Sequence, residues 1–120
     1  MKLDPLPFEM INSGKKTIEL RLLDEKRQKI AEGDTIVFTC TADGEKLSAV
    51  VEKLWRFDSF DELYKKLPLL QCGYTAKDID KAHPSDMEKY YSAQQQKKYG
   101  VVGIVLGLCT SADSRISESS

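Results

Sequence analysis

Six consecutive residues, Val101-Val102-Gly103-Ile104-Val105-Leu106, carry no polar side chain, and this run constrains the fold more than any other. Successive side chains of a strand point to opposite faces, so such a segment needs apolar cover on both. The apolar stretch continues only to Cys109 and falls far short of the ~20 residues a membrane helix requires. It therefore reads as a central strand with a packed layer on each side.

The rest of the chain supplies the neighbours. Thr17-Ile18-Glu19-Leu20-Arg21-Leu22 alternates strictly between polar and apolar, the mark of a half-buried strand. Ile18, Leu20 and Leu22 should point inward, leaving Thr17, Glu19 and Arg21 together on the other face. Thr35 to Cys40 alternates as well, with Ile36 and Phe38 on one side. Asp43-Gly44 is a hairpin signal, so Lys46 to Phe57 should return antiparallel to that strand. Between Leu22 and Thr35, the charged stretch Asp24 to Ala31 can hold a short helix before the turn at Glu32-Gly33-Asp34.

Helical signals fill the remainder. Pro5 to Ser13 opens with prolines suited to a first turn and closes at Gly14, with Phe8 and Ile11 aimed at a core. Ser59-x-x-Glu62, Thr75-x-x-Asp78, Ser85-x-x-Glu88 and Ser92-x-x-Gln95 each match the capping-box pattern. Separated by Pro68 and Pro84 and ended by Gly100, they predict a string of short helices. Tyr64 and Leu67 should cover the sheet, and Trp55 should join the core. The order of helix, three strands, helices and a last strand is α+β, built on a small barrel or strongly curved sheet.

Composition limits the function. A chain of 120 residues suits one domain, and 31% charged with 41% hydrophobic residues is ordinary for a globular protein. No basic-then-apolar leader opens it, which points to a cytoplasmic protein without a membrane partner. Residues 1–108 read as the domain. In 109–120 the periodicity stops and five of twelve residues are serine, so a disordered tail is expected. Three cysteines, Cys40, Cys72 and Cys109, with no CxxC pair, predict reduced thiols and neither a disulfide framework nor a zinc site. The one histidine, His83, precedes Pro84 and reads as a loop or helix-end residue; a Ser-His-Asp triad is improbable. No spacing calls for a metal or organic cofactor. The net charge of −1 argues against a strongly basic nucleic-acid binder.

That sum conceals a local surplus. Residues 14–29 hold six basic side chains against three acidic ones. Glu19 and Arg21 lie side by side on one strand face, and Lys16 at the strand entry can reach over the same edge. A basic patch beside a carboxylate suits recognition of a phosphate and a polar base edge. A solvated strand face with an ordinary Glu-Arg pair is the plainer alternative. Paired with Arg21, Glu19 should stay ionised and act as an acceptor for a base amino group more readily than as a general acid. Tyr90, Tyr91 and Tyr99 add aromatic surface, and Tyr91 is a candidate cleft wall for stacking a base. Exposed tyrosines would equally suit a protein partner.

The string Gly14-Lys15-Lys16-Thr17-Ile18-Glu19-Leu20-Arg21 resembles the G-x-K-x-x-E-x-R signature of the ASCH domain, a PUA-like fold. The resemblance extends through the Pro7-Phe8 to Ser13 helix, the Ile30 to Phe38 turn and strand, Asp58 to Leu63, and Tyr90 through Ile104. It thus covers residues 5–106. It implies a small PUA-like mixed β-barrel flanked by short helices, with a cleft beside the barrel that binds RNA or a modified nucleotide. Lys15, Lys16, Glu19, Arg21 and Tyr91 become the ligand-binding candidates. Some family members are amidohydrolases acting on N4-acetylcytidine with a lysine, a threonine and a glutamate. Lys16 falls on that lysine, but Glu19 stands at the threonine position and no acid occurs across Gln71 to Tyr74. Hydrolysis of an acylated nucleoside is therefore the alternative function, with Lys16 and Glu19 as its catalytic candidates.

Overall fold

The computed structural model describes residues 1–108. Five strands form one sheet: β1 (Lys2–Leu3), β2 (Ile18–Leu22), β3 (Thr35–Cys40), β4 (Lys46–Phe57) and β5 (Val101–Leu108). Three α-helices accompany it: α1 (Pro5–Asn12), α2 (Phe60–Lys66) and α3 (Ala93–Tyr99). Single 3-10 segments lie at Arg27–Lys29, Leu69–Cys72, Ile79–Lys81 and Pro84–Lys89. The strand order is β1-β3-β4-β5-β2, with β1 parallel to β3 and every other pair antiparallel. The sheet curls into a half-barrel, a mixed α+β fold as the sequence indicates.

Strand β5 lies between β4 and β2, and both of its faces are covered. Val102, Ile104 and Leu106 pack on one side with Phe38, Val51 and the α1 residues Phe8 and Ile11. Val101 faces the other way, into a second cluster with Ile18, Leu20, Phe60, Leu63 and Leu67. Gly103 lets this second layer close: a Cβ there would sit 2.5 Å from Leu67 Cδ1. The register between β4 and β5 shifts between Val51 and Lys53, a bulge of the kind that bends a strand and increases its twist.

Most local signals operate as read. Helix α1 ends at Ser13, and Gly14 adopts φ +82°, a region that favours glycine. The β3–β4 hairpin turns through residues 41–45, with Gly44 at φ +76°. Ser59 Oγ accepts the Glu62 amide at the start of α2, and Ser92 forms a full capping box with Gln95 at the start of α3. Leu67 is buried and Tyr64 partly so, over the sheet.

Three expectations need correction, and one strand is additional. Thr75 and Asp78 form a side-chain-closed turn, because the Asp78 carboxylate itself accepts from the Thr75 amide and hydroxyl. The box at Ser85 is displaced two residues upstream: His83 accepts the Ser85 amide while Asp86 accepts from His83 N. His83 is therefore a helix cap. Trp55 is 41% exposed, since Phe60 and Leu63 already fill the layer over Val101, and Lys53 Nζ sits 4.4 Å from its ring centroid. The two-residue strand β1 carried no periodicity and was not foreseen. The expected tail, 109–120, and Cys109 lie outside the described residues, while Cys40 and Cys72 are free and buried.

Phe38 is fully buried at the centre of the cluster joining β3, β5 and α1. Phe38→Ala should cost about 3–5 kcal/mol in a urea titration, through lost transfer energy and an unfilled cavity. A loss under about 1 kcal/mol would show that this cluster is not the main core.

Candidate functional site

The second face of β2 is not solvated. Glu19 pairs across from Ile104 and Arg21 from Val102, so both side chains project toward the interior of the curl. Glu19 is only 3% exposed. A lone buried carboxylate is costly to desolvate, and here each oxygen is met by a cation. Lys16 Nζ lies 2.7 Å from Oε1 and Arg21 Nε lies 2.7 Å from Oε2. Burial alone would raise the Glu19 carboxyl; Lys16 and Arg21 outweigh it and hold the group below the usual carboxylate range. For Arg21, burial works against the charged form, but Glu19 more than offsets this and raises it.

Each cation is held from a second direction. Arg21 Nη2 donates to the Lys2 carbonyl at 3.1 Å, and Tyr91 lines the same cleft as the guanidinium. Lys2 belongs to β1 and Arg21 to β2, the two edges of the sheet, so this side chain bridges the gap the backbone leaves open. Lys16 is fixed by its backbone, whose amide donates to the Met10 carbonyl at the end of α1. Its stem lies on Gly73, where a Cβ would meet Lys16 Cδ at 3.3 Å and Nζ at 3.8 Å. Gly73 also holds φ +111°, so the position favours glycine twice over.

Above this triad opens a cleft of about 520 Å3. Its walls come from three places. Lys2, Lys16, Glu19 and Arg21 line the strand side, and Leu6, Pro7 and Met10 of α1 add an apolar side. The segment from Tyr64 to Tyr91 closes the rest with four tyrosines, Tyr64, Tyr74, Tyr90 and Tyr91, together with Asp78, Asp86 and Met87. Tyr91 stacks on Phe60, 6.2 Å between centroids and 17° between planes, which fixes its ring in the wall. Tyr90 is 60% exposed at the rim. Cys72 also borders the cleft, but burial pushes its thiol up to about 11, so it is a poor nucleophile at neutral pH.

Of the residues singled out from sequence, Lys16, Glu19, Arg21 and Tyr91 meet in this cleft. Lys15 is exposed and does not line it, because adjacent residues entering a strand point apart. Glu19 meets Lys16 on one oxygen and Arg21 on the other, so a ligand amino group would share an oxygen already paired with a cation. Sequence reasoning missed the Tyr64–Tyr74–Asp86 chain, where Tyr74 donates to Asp86 at 2.7 Å and the two hydroxyls lie 2.8 Å apart. Gly73 was also unremarked. Among the described residues no group of three or more His, Cys, Asp or Glu is placed to hold a metal, and no helix is long and apolar enough to cross a membrane.

A family model described as the ASCH domain matches residues 1–109. The crystal structure of hypothetical protein PH0355 is similar at 32% identity and a TM-score of 0.71, covering 90% of this chain and 99% of that one. Protein PF0455 from Pyrococcus furiosus, solved by NMR, is 31% identical with a TM-score of 0.66, over 92% of this chain and 99% of that one. The ASCH protein of Zymomonas mobilis shares the fold at 17% identity and a TM-score of 0.60, over 89% of this chain and 64% of its own. Among curated proteins the comparison found no match.

Removing the carboxylate should unbalance the triad. Glu19→Gln leaves two cations without their buried counter-charge, and urea unfolding at pH 7 should show a loss of about 3–5 kcal/mol. A loss of about 1 kcal/mol or less would place the pair among ordinary surface bridges. A carboxyl depressed in the folded state contributes its stability above about pH 4.3 and loses it as pH falls through the folded value. Wild-type stability should therefore drop on acidification below that range, and the drop should be shallower in Glu19→Gln.

Proposed function

The chain belongs to the ASCH domain family, and from that premise we propose that it is a cytoplasmic protein binding a nucleotide, free or within RNA, in the cleft above Glu19. The observation that carries this reading is the pairing of chemistries in one cavity. Two cations anchored on a buried carboxylate leave a net positive charge on the strand side, and tyrosines line the other. Arg21 and Lys16 suit a phosphate as charge-assisted donors. Tyr91 and Tyr90 offer rings on which a base can stack, worth about 1–3 kcal/mol per base. The cavity volume of about 520 Å3 lies within the range of small-ligand pockets. A single clustered site also suits the near-neutral net charge, since binding long polyanions needs many phosphate contacts.

Glu19 acts here as a positioning residue. It holds Lys16 and Arg21 at one spacing and does not touch the ligand. Hydrolysis of an N4-acetylcytidine-like nucleoside draws less support from this geometry. A nucleophilic amine must be free to approach the carbonyl, yet Lys16 Nζ is held 2.7 Å from Glu19; a general acid needs a transferable proton, yet Glu19 is held ionised. Release of cytidine from N4-acetylcytidine by wild-type protein, absent with Lys16→Ala, would reverse that preference.

Calorimetric titration with nucleoside monophosphates and short RNA tests the binding reading. Arg21→Ala should weaken binding at least about tenfold, the size of one lost charge-assisted bond. Lys15→Ala should change it little. Equal affinity for wild type and Arg21→Ala would remove the cleft from consideration.

A further inference from the structure

The hydroxyl chain in the cleft wall has a fixed direction. Asp86 as a carboxylate can only accept, so the 2.7 Å contact spends the single proton of Tyr74. The Tyr74 oxygen must then accept in the 2.8 Å contact with Tyr64, which spends the proton of Tyr64. Burial and the neighbouring Asp86 push the Tyr74 phenol well above the ordinary tyrosine value, and burial raises Tyr64, so both protons stay in place. What remains on Tyr64 is acceptor capacity alone. The strand side has the opposite sense: Lys16 and Arg21 can only donate, and Glu19 is buried at 3% exposure with a cation on each oxygen. Gly73 carries the Lys16 stem and Tyr74 follows it directly, so the donating and accepting walls meet at one turn.

We infer that the cleft selects nucleotides whose base presents an amino edge, cytosine or adenine, over those presenting a carbonyl at the same position, uracil or hypoxanthine. The inference rests on the nucleotide-binding reading above and adds to it the identity of the base edge. With the phosphate on Lys16 and Arg21, the exocyclic amino group donates to the Tyr64 oxygen. A carbonyl in its place would set two acceptors against each other, and an unmade hydrogen bond of this kind is costly to leave buried. Tyr64 is thus a specificity-determining residue, and Tyr74 with Asp86 positions its proton.

Affinities for CMP against UMP, and for AMP against IMP, measured by calorimetry with the intact chain, test this. The amino-bearing member of each pair should bind about tenfold more tightly, the scale of one mismatched buried hydrogen bond. Tyr74→Phe keeps the ring but frees the Tyr64 hydroxyl to turn and donate, so the preference should collapse to within about twofold while overall binding persists. A merely structural role for Tyr74 would lower all four affinities together and leave the ratio unchanged. Equal wild-type affinity within each pair overturns the selectivity and leaves the nucleotide cleft standing. No binding of any of the four overturns the cleft reading itself, and this inference with it.

Discussion

A buried carboxylate at Glu19 organises this protein. At 3% exposure it is tolerable only because each oxygen has its own cation, and those cations are themselves held by distant parts of the fold. Lys16 arrives from the turn after α1 and lies on Gly73, a residue far along the chain. Arg21 arrives from the same strand and goes on to the Lys2 carbonyl on the opposite sheet edge. One acid therefore ties α1, the Gly73 turn and both edges of the half-barrel to one point. The cleft lies where it does because the sheet is closed there by side chains and not by a backbone ladder.

The chemistry of the cleft follows from the same arrangement. An acid held between two cations loses its own reactivity and fixes their spacing, so the strand side becomes a rigid donor surface. The other side is set by Asp86, a second carboxylate, which caps the Pro84–Lys89 segment at His83 and orders the two tyrosine hydroxyls. Each wall takes its hydrogen-bonding sense from one acid, in the first case by pairing cations and in the second by consuming protons.

Legibility varied with the distance over which a signal acts. Helix α1, its glycine stop, the β3–β4 hairpin and the boxes at Ser59 and Ser92 were readable because each involves neighbours within a few residues. The boxes at Thr75 and Ser85 failed for an equally local reason: aspartate and histidine side chains can close the same amides in a tighter turn. Trp55 was misplaced because its burial depended on whether α2 packed over it or beside it. Lys15 stood beside Lys16 as a ligand-binding candidate, and the direction of strand entry leaves it exposed outside the cleft.

Alternation in 17–22, the unbroken apolar run at 101–106 and the helix signals between them were sufficient to establish an α+β chain with a doubly covered strand, since each is a property of nearby residues. The motif at 14–21 brought Lys16, Glu19 and Arg21 together for the same reason: they lie within six positions of one another. What periodicity cannot carry is which face of β2 looks into the curl. Ile18 and Leu20 went to the layer under α2, and the polar face went to the interior, where charges survive only as a closed set. The partners that close that set, Lys2 and Gly73, and the chain of Tyr64, Tyr74 and Asp86, are non-local contacts. They exist only once the sheet has curled, because curvature and not sequence proximity brings those atoms within bonding range.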